Sequence, residues 1–267
     1  MSAPDRQQRL AALRDTIADI ERKPALAEAA NRPRSEPGAF PALPSGLVQE
    51  VYANGARDSG ASLAFALTQA KSLLTTRRST IYYVQLAHEG KHLGLPYGPG
   101  LSWFGINPEK LVIVRVADMT EFLWATEEAT ACRAVAAIIA EVRGASKLLN
   151  FTASRRLSLR ASANRVSLFM LRYGTRRESS AGHLRWQIMP QRSGRHAFDD
   201  RAPGKARWRL KLERGRIAGN QMDWMLEARK NGFAIFSQPA GLGQSQAQTP
   251  VLGAPPALLA HRLSQAS

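Results

Sequence analysis

The chain has 267 residues, 44% of them hydrophobic, which is enough for one sizeable core with tails or for two small domains. Its single cysteine, Cys132, excludes an internal disulfide framework, and no metal-ligand spacing is visible, so no metal and no cofactor are expected. The net charge of +16 is concentrated, because Phe151 to Lys230 holds 19 lysines and arginines against 6 acidic residues; such a field attracts polyanions or acidic protein surfaces.

No apolar run approaches the roughly 20 residues of a membrane helix. The N-terminus lacks the continuous apolar stretch of a secretory signal, so a cytoplasmic, reducing setting is expected, with association with the nucleoid compatible with the charge. Cys132 reads as a buried small hydrophobe on an apolar helix face.

Residues 3–31 read as a helix, with Pro4 suited to its first turn and Ser2 or Asp5 as cap. Leu10, Leu13, Ile17 and Ile20 form one narrow apolar stripe along it. That stripe either packs on the chain's own core or docks on a partner. Asn31 to Ser45 holds four prolines and reads as a linker. The resulting plan is an N-terminal helix with linker over 1–35, a core over 36–238 and a flexible tail over 239–267, rich in Gly, Pro, Gln, Ser and Ala.

The core alternates. Strands are expected over Val48–Tyr52, Ile81–Leu86, Leu111–Val116, Ala134–Val142 and Val166–Arg172. Helices are expected over Leu63–Leu74, Met119–Cys132 and Leu148–Ala163, with one long Gly/Pro-rich loop from Gly90 to Ile106. Leu111–Val116 is continuously apolar, the pattern of a strand buried on both faces. Strand and helix in alternation imply a parallel, helix-covered α/β sheet. After Gly174 the pattern changes to short alternating strands at Leu184–Ile188, Ala206–Leu212, Met222–Ala228 and Phe233–Phe236, which read as antiparallel additions at the C-terminal edge.

Between the first strand and first helix lies Gly55-Ala56-Arg57-Asp58-Ser59-Gly60-Ala61-Ser62. It keeps both glycines and the terminal hydroxyl of a phosphate-binding loop, G-x-x-x-x-G-K-[ST], but Ala61 stands where the lysine belongs. In the basic segment, Arg155, Arg156, Arg176, Arg177, Arg207 and Arg209 are candidates for nucleic-acid contact through phosphates. Arg207, Arg209 and Lys211 also alternate with Trp208, Leu210 and Leu212, as any half-buried strand would.

The arrangement resembles the RecA core, and within that superfamily the ImuA family of inducible mutagenesis proteins. The likeness covers residues 40–236. It rests on Leu43–Val51, Thr120–Ala129, Leu149–Leu157 and the Arg185-Trp186 and Arg207–Leu210 strands, specific as a set. The resemblance implies a RecA-like, mainly parallel sheet. Carried over by position, the RecA chemistry fails: the lysine is Ala61, the water-activating glutamate falls at Ala87, the sensor glutamine falls at Arg172, and the Walker B acid reads as Glu141. Phosphoryl transfer depends on lysine, metal and an oriented water, so the loop residues Gly55, Gly60, Ala61 and Ser62, with Glu141, read as a degenerate nucleotide site and no catalytic residue is expected. The segments matching RecA's two DNA loops are short.

The resemblance implies a non-catalytic adaptor of the SOS response. Its implied partners are an ImuB-type, Y-family polymerase-like protein and an error-prone replicative-type DNA polymerase, with RecA itself and DNA as further candidates and no membrane. Two alternatives stay open. One is a divergent DNA-dependent ATPase; the other is a SulA-like inhibitor of cell division, acting on the tubulin-like division protein.

Overall fold

Six consecutive buried residues, Val48–Ala53, make the central strand β1 of this computed structural model, which describes residue 38 and residues 40–196, 198–199, 201–217, 221–229 and 232–236. The stripe Leu10, Leu13, Ile17 and Ile20 and the tail over 239–267 lie outside the described residues. After β1 come a single 3-10 turn at Ala56–Asp58 and helix α1 (Ser59–Lys71), then β2 (Thr80–Leu86). The short helices α2 (Gly90–Leu93) and α3 (Gly98–Trp103) follow, then β3 (Leu111–Val116), α4 (Met119–Ala131), β4 (Val135–Arg143), α5 (Phe151–Asn164) and β5 (Ser167–Tyr173). Strands β6 (Leu184–Gln191), β7 (Arg207–Arg214), β8 (Asp223–Arg229) and β9 (Gly232–Ile235) complete the described chain.

The described strands form one sheet in the order β3-β2-β4-β5-β1-β6-β7-β8-β9. Pairing is parallel from β3 through β6 and antiparallel from β6 through β9. This is the α/β architecture expected, mainly parallel with antiparallel strands added at the C-terminal edge. The parallel half needs long crossovers; helices supply them as far as β5, and residues 174–183 carry the chain past β1 to β6 without one.

Side-chain alternation sends the residues of β1–β5 to two cores, while β6–β9 contribute to one of them. On one face α1 packs Phe65, Ala66 and Ala70 against Val51, Ile139, Leu171 and Trp186. On the other, α4 and α5 bring Phe122, Leu123, Leu157 and Ala161 onto Val48, Val84, Ile138 and Met170. Asp118 caps α4 by accepting from the amides of Thr120 and Glu121 at 2.8 and 2.9 Å, while Glu121 reaches back to the Ala117 amide at 2.8 Å. Asn150 caps α5 by accepting from Ala153 N at 3.0 Å. Gly46 takes φ +88°, and a Cβ there would sit 3.3 Å from Arg165 Cα, so the entry into β1 requires glycine.

Four expectations are corrected. Leu111–Val116 is not buried on both faces: it is the edge strand, with only Val116 buried, because no described strand pairs beyond it and α4 covers one face in part. Cys132 is exposed, since it caps α4 after the last helical turn instead of facing the core. The Gly90–Ile106 loop contains α2 and α3, the second begun by Pro99 in its first turn. The proline-rich stretch is not a free linker throughout: Phe40 and Leu43 are buried, and the Phe40 ring makes edge contacts with Phe65, Trp186, Trp224 and Phe233 at 5.6 to 6.4 Å.

Candidate functional site

The glycine-bracketed loop leaves β1 at the carboxyl end of the parallel strands, where ligands bind in open α/β sheets. Gly55 is extended (φ −158°), a conformation open to any residue, and a Cβ on Gly55 or Gly60 would meet nothing within 4 Å. The Asp58 amide donates to Gly55 O at 3.0 Å, and the Ser59 amide donates to Ala56 O. These two loop amides are therefore engaged inside the turn. Ala61 and Ser62 are buried on the first turn of α1, and the Ser62 hydroxyl has no hydrogen-bond partner among the described residues. Arg57 is fully out in solvent, 3.9 Å from the Asp58 carboxylate.

Glu141, on β4 and expected at a Walker B position, is enclosed. Its carboxylate accepts from the hydroxyls of Tyr83 on β2 and Tyr173 on β5, and from Gln85 Nε2 at 2.8 Å. The strand order β2-β4-β5 brings these groups together. Register pairs Gln85 with Glu141 directly. Burial raises the Glu141 carboxyl above its ordinary value, against the opposing pull of the three donors, and burial also raises both phenols.

Ala87 offers only its backbone: its carbonyl accepts from Arg115 Nη2 at 2.7 Å and its amide donates to Val116 O at 2.8 Å. Two residues on, a second buried acid was missed in the sequence: Glu89 accepts from the Arg143 amide at 3.0 and 3.1 Å, and burial raises its carboxyl. An acidic residue just past the end of a buried strand was the available signal. Among the described residues no group of three or more His, Cys, Asp or Glu side chains is placed to hold a metal ion.

Arg172, expected at a sensor position, is buried and ion-paired to Glu178 at 2.5 Å, with Nη2 also donating to Gly144 O at 3.3 Å. Beside it lies a buried polar cluster that local sequence does not reveal. Glu50 accepts from Arg185 at 2.8 Å and from Arg214 at 3.2 Å. The Tyr52 ring sits under Arg177 at 4.2 Å, with Arg185 and Arg172 at 5.5 and 5.9 Å.

Four of the six candidate phosphate-contacting arginines have acidic partners. Arg156 pairs with Glu127, Arg177 with Glu213 at 2.7 Å, Arg207 with Glu227 at 2.7 Å and Arg209 with Asp223 at 2.6 Å. Arg155 and Arg176 are exposed, with no ion pair among the described residues. The six do not form one cluster of free cations.

At the opposite edge, β3 is paired among the described residues only by β2, and Val112 and Ile113 are 44% and 39% exposed. A groove of about 730 Å³ runs between β3 and α4, lined by Tyr82, Val112, Val114, Trp124, Ala125 and Cys132. Trp124 is 66% exposed on its wall.

No protein-family model matches the sequence. Two curated proteins do. Protein ImuA of Caulobacter vibrioides strain NA1000 / CB15N is 33% identical over 223 residues, covering 76% of this chain and 86% of that protein. Protein ImuA of Caulobacter vibrioides strain ATCC 19089 / CB 15 matches with the same identity and coverage.

Proposed function

The chain belongs to the ImuA family, and from that premise we propose that it is a non-catalytic accessory protein of the DNA-damage response. It supports translesion synthesis and induced mutagenesis as an adaptor. Its partners on this reading are an ImuB-type polymerase-like protein and an error-prone replicative-type polymerase, with RecA as a further partner.

The observation that carries the reading is the open edge of the sheet. An unpaired strand offers a row of free backbone donors and acceptors, and natural proteins usually blunt such edges with charge, proline or a bulge. Here Leu111, Val112, Ile113 and Val114 stand at the edge beside an apolar groove. Contiguous exposed apolar surface of this kind marks protein interaction sites. An extended segment of a partner can add a strand to β3 and place side chains against Trp124.

The non-catalytic half of the reading is supported by the loop. Ala61, Ala87 and Arg172 replace the three groups that phosphoryl transfer needs, and the remaining acid, Glu141, is enclosed by two tyrosines and a glutamine. The test combines binding and turnover. Val112→Lys with Trp124→Ala weakens capture of the ImuB-type partner or the polymerase at least about tenfold, as loss of a central apolar anchor does. Unchanged capture of every partner, or ATP turnover with single-stranded DNA that Glu141→Gln abolishes, overturns the proposal.

A further inference from the structure

One exposed aromatic outside the basic segment singled out above lines a groove with two of that segment's cations. Trp103, the last residue of α3, is 61% exposed and makes an edge contact with Phe104 at 5.7 Å. Phe104 packs against the core under α1, and its carbonyl accepts from Lys71 Nζ at 3.4 Å, so the base of the indole is anchored. Facing it are the start of β7 and the end of β8. Ser102, Trp103, Phe104, Lys205, Ala228 and Arg229 line a groove of about 680 Å³.

The charge in this groove is positive. The nearest acid, Glu227, already takes two hydrogen bonds from Arg207 at 2.7 and 2.8 Å, and Lys205 Nζ stands 3.8 Å from its other oxygen. Arg229 is exposed and has no acidic partner among the described residues. An aromatic plane beside a pair of cations suits one ligand chemistry, a base stacked on the ring with its phosphates on the cations. An acidic peptide would satisfy the cations but leave the indole face in water.

We propose that the groove between Trp103 and the Lys205–Arg229 rim binds a short stretch of single-stranded nucleic acid, one base on Trp103 and the flanking phosphates on Lys205 and Arg229. This site goes beyond the adaptor reading and does not rest on it. The net charge of +16 draws the polyanion in, and the groove supplies the base-dependent contact.

The experiment uses the full chain and two fluorescein-labelled oligomers of about 20 nucleotides, oligo(dT) and the same backbone made abasic, read by anisotropy. The wild type binds oligo(dT) about tenfold tighter than the abasic strand, as stacking of one base provides. Trp103→Ala removes that difference and Trp103→Phe keeps most of it. Lys205→Ala with Arg229→Ala weakens both oligomers and lowers the salt slope by about 1.4, the release expected for two single-strand phosphates. Arg155→Ala with Arg176→Ala, on another surface, leaves the base-dependent difference intact, as do the β3 variants. A matched oligo(rU) tells a DNA site from an RNA site. Three results overturn the proposal: wild-type protein that does not distinguish oligo(dT) from the abasic strand, Trp103→Ala protein that still does, or polyglutamate competing as well as oligo(dT). The wild-type comparison stands whether or not the variants fold.

Discussion

Replacing Glu141 by alanine removes the one acceptor on which three buried donors converge. The hydroxyls of Tyr83 and Tyr173 and the amide of Gln85 then lose that partner, although Gln85 Nε2 keeps Gly94 O at 3.1 Å. Breaking a buried polar network by deleting one member costs about 3–5 kcal/mol, and relief of the carboxylate's own desolvation brings the net to about 3 kcal/mol. For a core of this size that is a fall in Tm of about 6–12 °C. Glu141→Gln keeps a carbonyl for one phenol and loses less than half as much. Urea and thermal denaturation at neutral pH, followed by circular dichroism, measure both. The reasoning fails if Glu141→Ala is as stable as the wild type or more so, because carboxylates kept for a ligand commonly cost stability. It fails equally if magnesium and ATP raise the wild-type Tm and not that of the variant.

Two further outcomes follow from buried groups and backbone. Burial holds the carboxyls of Glu89 and Glu141 above 4.5, so the folded state binds their protons more tightly than the unfolded chain does. Their contribution is therefore complete below pH 4.5 and is lost as pH rises through the folded values; Glu89→Gln and Glu141→Gln each flatten that part of a stability-against-pH curve, read by urea midpoints. Gly46→Ala puts a Cβ 3.3 to 3.4 Å from the end of α5 at a positive φ, and costs at least about 1–2 kcal/mol by chemical denaturation with partner binding retained.

The strands were legible because each is a short apolar or alternating run between turn residues. Trp208, Leu210 and Leu212 point to the core, and Arg207, Arg209 and Lys211 away from it, as the alternation requires. What could not be read was adjacency. Leu111–Val116 has the composition of a doubly buried strand, yet strand order puts it at the edge, and no local pattern encodes order. The enclosure of Glu141 needs Tyr83, 58 residues earlier, and Tyr173, 32 residues later, to arrive on neighbouring strands. The pairing of Arg209 with Asp223 likewise depends on the β7–β8 register, which sets Lys211 opposite Asp223 and leaves Arg209 one step diagonal. That Ala61 stands where a phosphate-binding loop carries lysine is a matter of residue identity alone and needs no fold to be read.

Phe40 has a consequence for how the molecule can be held. It fixes the start of the core beside β9, where Gly38 O also accepts from Ile235 N at 2.7 Å. The open edge at β3 lies eight strand spacings away, roughly 38 Å at about 4.8 Å per step. A partner that takes hold beside Phe40 is thus eight strand spacings from one that takes hold at β3. Two such partners need not compete for the same ground. The sheet then acts as a spacer whose width sets the distance between them.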